Sequence, residues 1–107
     1  MDWKSFDTGL TIGKAGSENG IIIRDEVFLD YSRITLEKDS PTAPFAITCG
    51  IFGWMVHARY FANHEQANSE FERMKGELAR IVTILSNQKD ESESITSELK
   101  NFVATFP

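Results

Sequence analysis

Hydrophobic and polar positions alternate with a period of two in the middle of the chain and recur every three or four residues in its last third. The first pattern is that of a strand with one buried face, the second that of an amphipathic helix. The cleanest alternation is Arg33-Ile34-Thr35-Leu36-Glu37, with Ile34 and Leu36 on one face. The stretch Asp39-Ser40-Pro41-Thr42-Ala43-Pro44 then breaks the chain, because two prolines and their turn-forming neighbours cannot continue a ladder. Phe45-Ala46-Ile47-Thr48-Cys49 resumes the alternation, Gly50-Ile51-Phe52-Gly53 marks the next turn, and Trp54 to Phe61 reads as an aromatic-rich strand. These three strands form a meander.

Upstream, Asn19-Gly20 is a hairpin signal between Leu10-Thr11-Ile12 and Ile21-Ile22-Ile23. The three consecutive isoleucines predict a strand covered on both faces or one beside a bulge. Asp25-Glu26 is either a bulge in one strand from Gly20 to Asp30 or a turn between two short strands, so the sheet has four or five strands. Downstream, Asn63 is an N-cap with Gln66 at the third helical position and Glu65 near the positive end of the dipole. Ala67, Phe71, Met74, Leu78, Ile81, Val82 and Leu85 make one apolar stripe. A second capping box, Asp90 to Glu93, opens a helix carrying Ile95, Leu99, Phe102, Val103 and Phe106. The short Ser86–Lys89 connection predicts near-antiparallel neighbours.

Strands grouped before helices define an α+β fold: an antiparallel β-meander of four or five strands followed by two C-terminal helices packed on the sheet. The 107 residues are one domain, with a β part over about 8–61 and a helical part over about 63–106. Hydrophobic residues make up 41%, enough for a core in a domain that should bury about 60–70% of its unfolded surface.

Charge narrows the partners. Sixteen acidic against eleven basic side chains give a net charge of −5, the wrong sign for a protein whose affinity comes from neutralising phosphates. Neither nucleic acid nor an anionic membrane surface is therefore expected, and no apolar run reaches the ~18–20 residues of a membrane span. A basic protein partner is compatible with this balance. Met1-Asp2-Trp3-Lys4 does not open like a secretory leader, and Cys49 is the single cysteine, so a cytoplasmic location is expected.

Candidate chemistry is sparse. Cys49, His57 and His64 are the soft or imidazole groups available. If Phe52-Gly53 is a two-residue turn, Cys49 falls opposite Val56 and Thr48 opposite His57, which puts Cys49 and His57 on different faces. That register also groups Phe45, Ile47 and Cys49 with Val56, Ala58 and Tyr60, and the pattern favours it. A three-residue turn would slip the ladder by one and bring Cys49 and His57 together. His57, His64 and Glu65 lack the spacing of a metal site, so neither metal nor cofactor is expected. Asp25, Glu26, Asp30, Glu37 and Asp39 sit near turns and read as solvated surface. Gly13-Lys14-Ala15-Gly16-Ser17 lacks the order of a phosphate loop.

Two features remain. Trp54, Met55, His57, Arg59, Tyr60 and Phe61 concentrate large groups on one strand, and in the two-residue register Met55, His57, Arg59 and Phe61 form an outer apolar strip edged by basic groups. These six are the candidate binding residues. Gly76 lies on the helix face opposite the stripe, where close approach by a partner backbone would explain it. The expected function is a non-catalytic interaction or regulatory module, acting as a homodimer or on a protein partner. The alternative is a small-molecule binder with a pocket between sheet and helices, lined by Phe45, Trp54, Tyr60 and Phe71 with Arg33, His57 or Arg59 as polar groups. A third reading is an enzyme using Cys49 with His57.

Overall fold

The computed structural model describes residues 3–87 and 92–107, with the backbone alone at 92–94. Five strands form one antiparallel sheet in chain order: β1 (Trp3–Ser5), β2 (Ile21–Phe28), β3 (Ser32–Lys38), β4 (Phe45–Ile51) and β5 (Met55–Phe61). Two helices follow, α1 (His64–Asn87) and α2 (Ser92–Thr105). The α+β meander with helices packed on the sheet is thus the architecture, and five is the strand count.

The alternation of β3 and β4 explains the inner face. Ile34 pairs with Cys49 and Leu36 with Ile47, and all four are buried against α1. On α1 the stripe Ala67, Phe71, Met74, Leu78, Ile81 and Val82 is buried throughout, and Leu85 packs at its edge. The helix starts where Asn63 Oδ1 accepts the Gln66 N–H at 2.8 Å, satisfying one of the donors that a helix N-terminus leaves open. Along α2, Ile95 and Phe102 are buried and Leu99 is half-buried, whereas Val103 faces outward; Phe106, just past the helix, is buried as well. Arg80 of α1 donates to both carboxylate oxygens of Glu98, at 2.7 and 3.1 Å, and the Arg73 guanidinium lies 5.2 Å from the Phe106 ring centre. Residue numbers therefore rise along α2 as they fall along α1, so the two helices run antiparallel. The capping box expected from Asp90 to Glu93 lies outside the described residues, as does part of the Ser86–Lys89 connection.

Three expectations upstream are corrected. Leu10–Ile12 is a run of turns, and the sheet instead begins at Trp3, with β1 paired to the far end of β2 from Trp3↔Phe28 to Ser5↔Glu26. The hairpin at Asn19-Gly20 is real but short: Ile22 N–H donates to Lys14 O and Gly13 N–H to Ile22 O, at 2.9 and 2.8 Å. The bulge expected beside the isoleucines is present between Ile22 and Arg24, whereas Asp25-Glu26 is neither bulge nor turn, and one continuous strand runs to Phe28. An extra residue in a run of β-branched side chains is tolerated as a bulge because each has an apolar surface to lay down on either face.

The third correction concerns the outer face. Its polar residues were expected to meet solvent, yet Asp25 and Glu37 are buried. The segment 6–20 folds back over them. The Arg33 guanidinium stacks 3.6 Å over the Phe6 ring and clamps Asp25 with two bonds of 2.9 and 2.7 Å, while Thr11 donates to the same carboxylate at 2.7 Å. Glu37 accepts the backbone N–H groups of Gly20 and Glu18 at 2.9 and 3.2 Å. Alternation reveals that this face is polar, but not that a later-placed loop supplies the hydrogen bonds water would have made.

Candidate functional site

The β4–β5 hairpin decides where the candidate residues lie. Ile51, Phe52, Gly53 and Trp54 form a turn closed by Trp54 N–H donating to Ile51 O at 2.9 Å, with Gly53 at φ 81°. A positive φ at the third position is that of a type II turn, whose twist splays the strands it joins rather than continuing them. The ladder accordingly resumes one residue later, at Ile51↔Met55, and Trp54 becomes a third loop residue. The two-residue register is thereby overturned: Cys49 pairs with His57 and Thr48 with Ala58.

Every side chain of β5 changes face with that slip. Met55, His57, Arg59 and Phe61 point toward the helices and do not form an outer strip. Met55 packs against the core and Phe61 is buried within it. His57 Nε2–H donates to the Phe106 carbonyl, and its ring meets Phe102 edge-on at 6.4 Å. Arg59 binds Glu70 at 3.0 Å and the Pro107 carbonyl at 3.1 Å, its guanidinium 4.9 Å from the Phe61 ring centre. These groups fasten α2 and α1 to the edge of the sheet.

The slip also brings Cys49 and His57 opposite one another, and the surroundings quench the pair. Burial pushes the Cys49 thiol up to about 12, against a smaller downward pull from Arg59. A thiol so placed holds almost no thiolate near neutral pH, and thiolate is the reactive form. His57 already spends a ring nitrogen on Phe106. His64, the other imidazole, stacks on Phe45 with centroids 5.1 Å apart.

Of the six candidates, Trp54 and Tyr60 remain exposed, and they are joined by Val56, which the favoured register placed on the inner face, and by the turn residue Phe52. Val56 is 82% exposed and Phe52 53%. Val56, Ala58 and Tyr60 form the outer face of β5, and the Tyr60 hydroxyl donates to Glu18 across the neighbouring segment, a bond that raises its pKa. Exposed Leu29 and Tyr31 stand beside Phe52 in the β2–β3 turn, where Phe52 N–H donates to Tyr31 O at 2.8 Å. One end of the sheet therefore carries a group of large uncovered apolar side chains. The clue available in the chain was Trp54 itself, a bulky residue directly after Gly53 that a three-residue loop would place outside the ladder.

A cavity of about 650 Å³ opens on the same outer face, between residues 15–17 and strands β3 to β5. Ile22, Arg33, Thr48, Gly50, Trp54 and Val56 are among its walls. The expected pocket between sheet and helices is filled instead: Phe71 is fully buried there, and of Phe45, Trp54, Tyr60 and Phe71 only Trp54 lines the cavity. A Cβ at Gly76 would meet nothing within 4 Å, so that position is open helix surface. Among the described residues no helix is long and apolar enough to cross a membrane. No protein-family model, curated protein or solved structure matches the chain.

Proposed function

We propose that this protein is a non-catalytic interaction module whose contact surface is the outer side of the β4–β5 hairpin. The observation that carries the reading is the exposure of Phe52, Trp54, Val56 and Tyr60 on one hairpin whose other face packs against the helices. Single exposed apolar residues are ordinary, whereas a contiguous group marks a surface that is covered in use. The quenched Cys49–His57 pair supports the non-catalytic part. Native mass spectrometry of gently purified protein should show an associated mass, a second copy or another protein. Val56→Asp combined with Trp54→Asp should remove that mass while leaving the far-UV circular dichroism spectrum unchanged, because both side chains are exposed. An associated mass unchanged in the double variant would rule the reading out.

The cavity favours a second reading, a small-molecule binder. Its volume lies within the range of ligand sites, with apolar walls and a few polar groups. Arg33 is held rigid by Asp25 and Phe6, and its Nη1 bonds to no described residue. In this case the purified protein carries a small stoichiometric adduct, which Thr48→Phe displaces by filling the cavity while assembly persists.

A further inference from the structure

The two edges of the sheet are treated differently. On one side, β1 covers the end of β2, and the Gly13 and Lys14 backbone bonds to Ile22 near its start. On the other side β5 pairs with β4 through seven consecutive residues without a bulge, and its far edge makes no backbone hydrogen bond to any described residue. Phe106 and Pro107, just after α2, bond to the side chains of His57 and Arg59 and to no backbone group of β5 among the described residues. Met55–Phe61 contains no proline, lysine or bulge of the kind that natural edge strands use to discourage pairing, and its one inward charge, Arg59, is neutralised by Glu70 at 3.0 Å.

We infer that β5 pairs antiparallel with β5 of a second copy about a two-fold axis at Ala58, joining two five-stranded sheets into one. This rests on the reading of the hairpin as the contact surface and names its partner. The strand is complementary to itself about its centre. With the axis at Ala58, Val56 meets Tyr60 of the second copy on the outer face, twice, so the most exposed apolar side chain gains an aromatic neighbour. On the helix side Met55 meets Phe61 and His57 meets Arg59. The smallest residue of the strand sits on the axis, and Arg59, its only charged one, never meets its own copy. An axis at Arg59 would oppose two guanidinium groups, and one at His57 would set Met55 against Arg59. Only the Ala58 register also uses all seven residues. A two-fold of this kind keeps the helices of both copies on one side and makes the two exposed outer faces continuous.

The test uses light scattering and native mass spectrometry on the full chain. The wild type should be a dimer. Ala58→Lys and Ala58→Glu each place like charges face to face and should weaken it by about a hundredfold. Mixing the two variants should restore a one-to-one heterodimer, because position 58 then opposes its complement. The far-UV circular dichroism spectrum of each variant should match the wild type, the thermal midpoint should fall only by the share that dimerisation contributes, and Ala58→Ser, uncharged and small, should still dimerise. A wild type that stays monomeric overturns the pairing, as does a dimer indifferent to both charges or not restored by mixing. The interaction reading is judged separately: a monomer that loses a different bound protein on Val56→Asp with Trp54→Asp overturns the edge pairing and leaves that reading standing.

Discussion

Cys49 has no access to solvent-borne reagents and no tendency to ionise, both for the same reason: it lies on the inner face of β4 under the helices. Its thiol, raised to about 12 by burial, should react with a maleimide at pH 8 at the rate of global unfolding, and fast labelling of the native protein would contradict the placement. Glu37 is the opposite case, a fully buried carboxyl that accepts two backbone N–H groups and forms no salt bridge among the described residues. Replacing it by Ala leaves those donors without an acceptor. The expected loss is about 2–4 kcal/mol in urea denaturation, with Glu37→Gln losing less because one oxygen survives. Phe106, sealed between Phe102 and the guanidinium groups of Arg59 and Arg73, should cost roughly 3–5 kcal/mol when cut to Ala.

Between elements, charge pairs tie α1 to its neighbours. Arg80 grips Glu98 on α2 and holds that carboxyl below its ordinary value of 4.5. At Glu70 burial pushes upward, but Arg73 and Arg59 outweigh it and the net shift is downward. A carboxyl depressed in the folded state contributes stability above its unfolded value of 4.5 and loses that contribution as the pH falls through the folded one. The urea midpoint should therefore drop as solutions are acidified below 4.5, and Glu98→Gln should flatten part of the slope. Elements whose own residues dictate them were legible in the sequence: the alternation of β3, the proline-broken loop before β4, and the Asn63 cap with its stripe on α1. What escaped depended on something non-local or on a single loop residue. The hairpin register turned on whether Trp54 belonged to the turn, and that one residue moved Met55, His57, Arg59 and Phe61 inward and Val56 outward. The covering of Asp25 and Glu37 depended on where residues 6–20 return, which no period reveals.

At the scale of the whole molecule, protection should follow layers. Amides of β3 and β4 lie at the centre of the sheet beneath α1 and should be the last to exchange with deuterium, while β1, three residues long, should exchange early. The outward amides of β5 should exchange fast in dilute protein and slow as concentration rises, if the edge is paired between copies. Two close contacts also constrain how such a chain can diverge over time. A Cβ at position 16 would fall 2.3 Å from the Glu37 carboxyl carbon, and one at position 20 would fall 2.6 Å from the Lys38 carbonyl oxygen. A side chain at 16 would push the Glu37 carboxyl off the two backbone N–H groups it accepts. A lineage that changes 16 alone therefore gives up that pair of hydrogen bonds, whereas one that shortens residue 37 first has room for it.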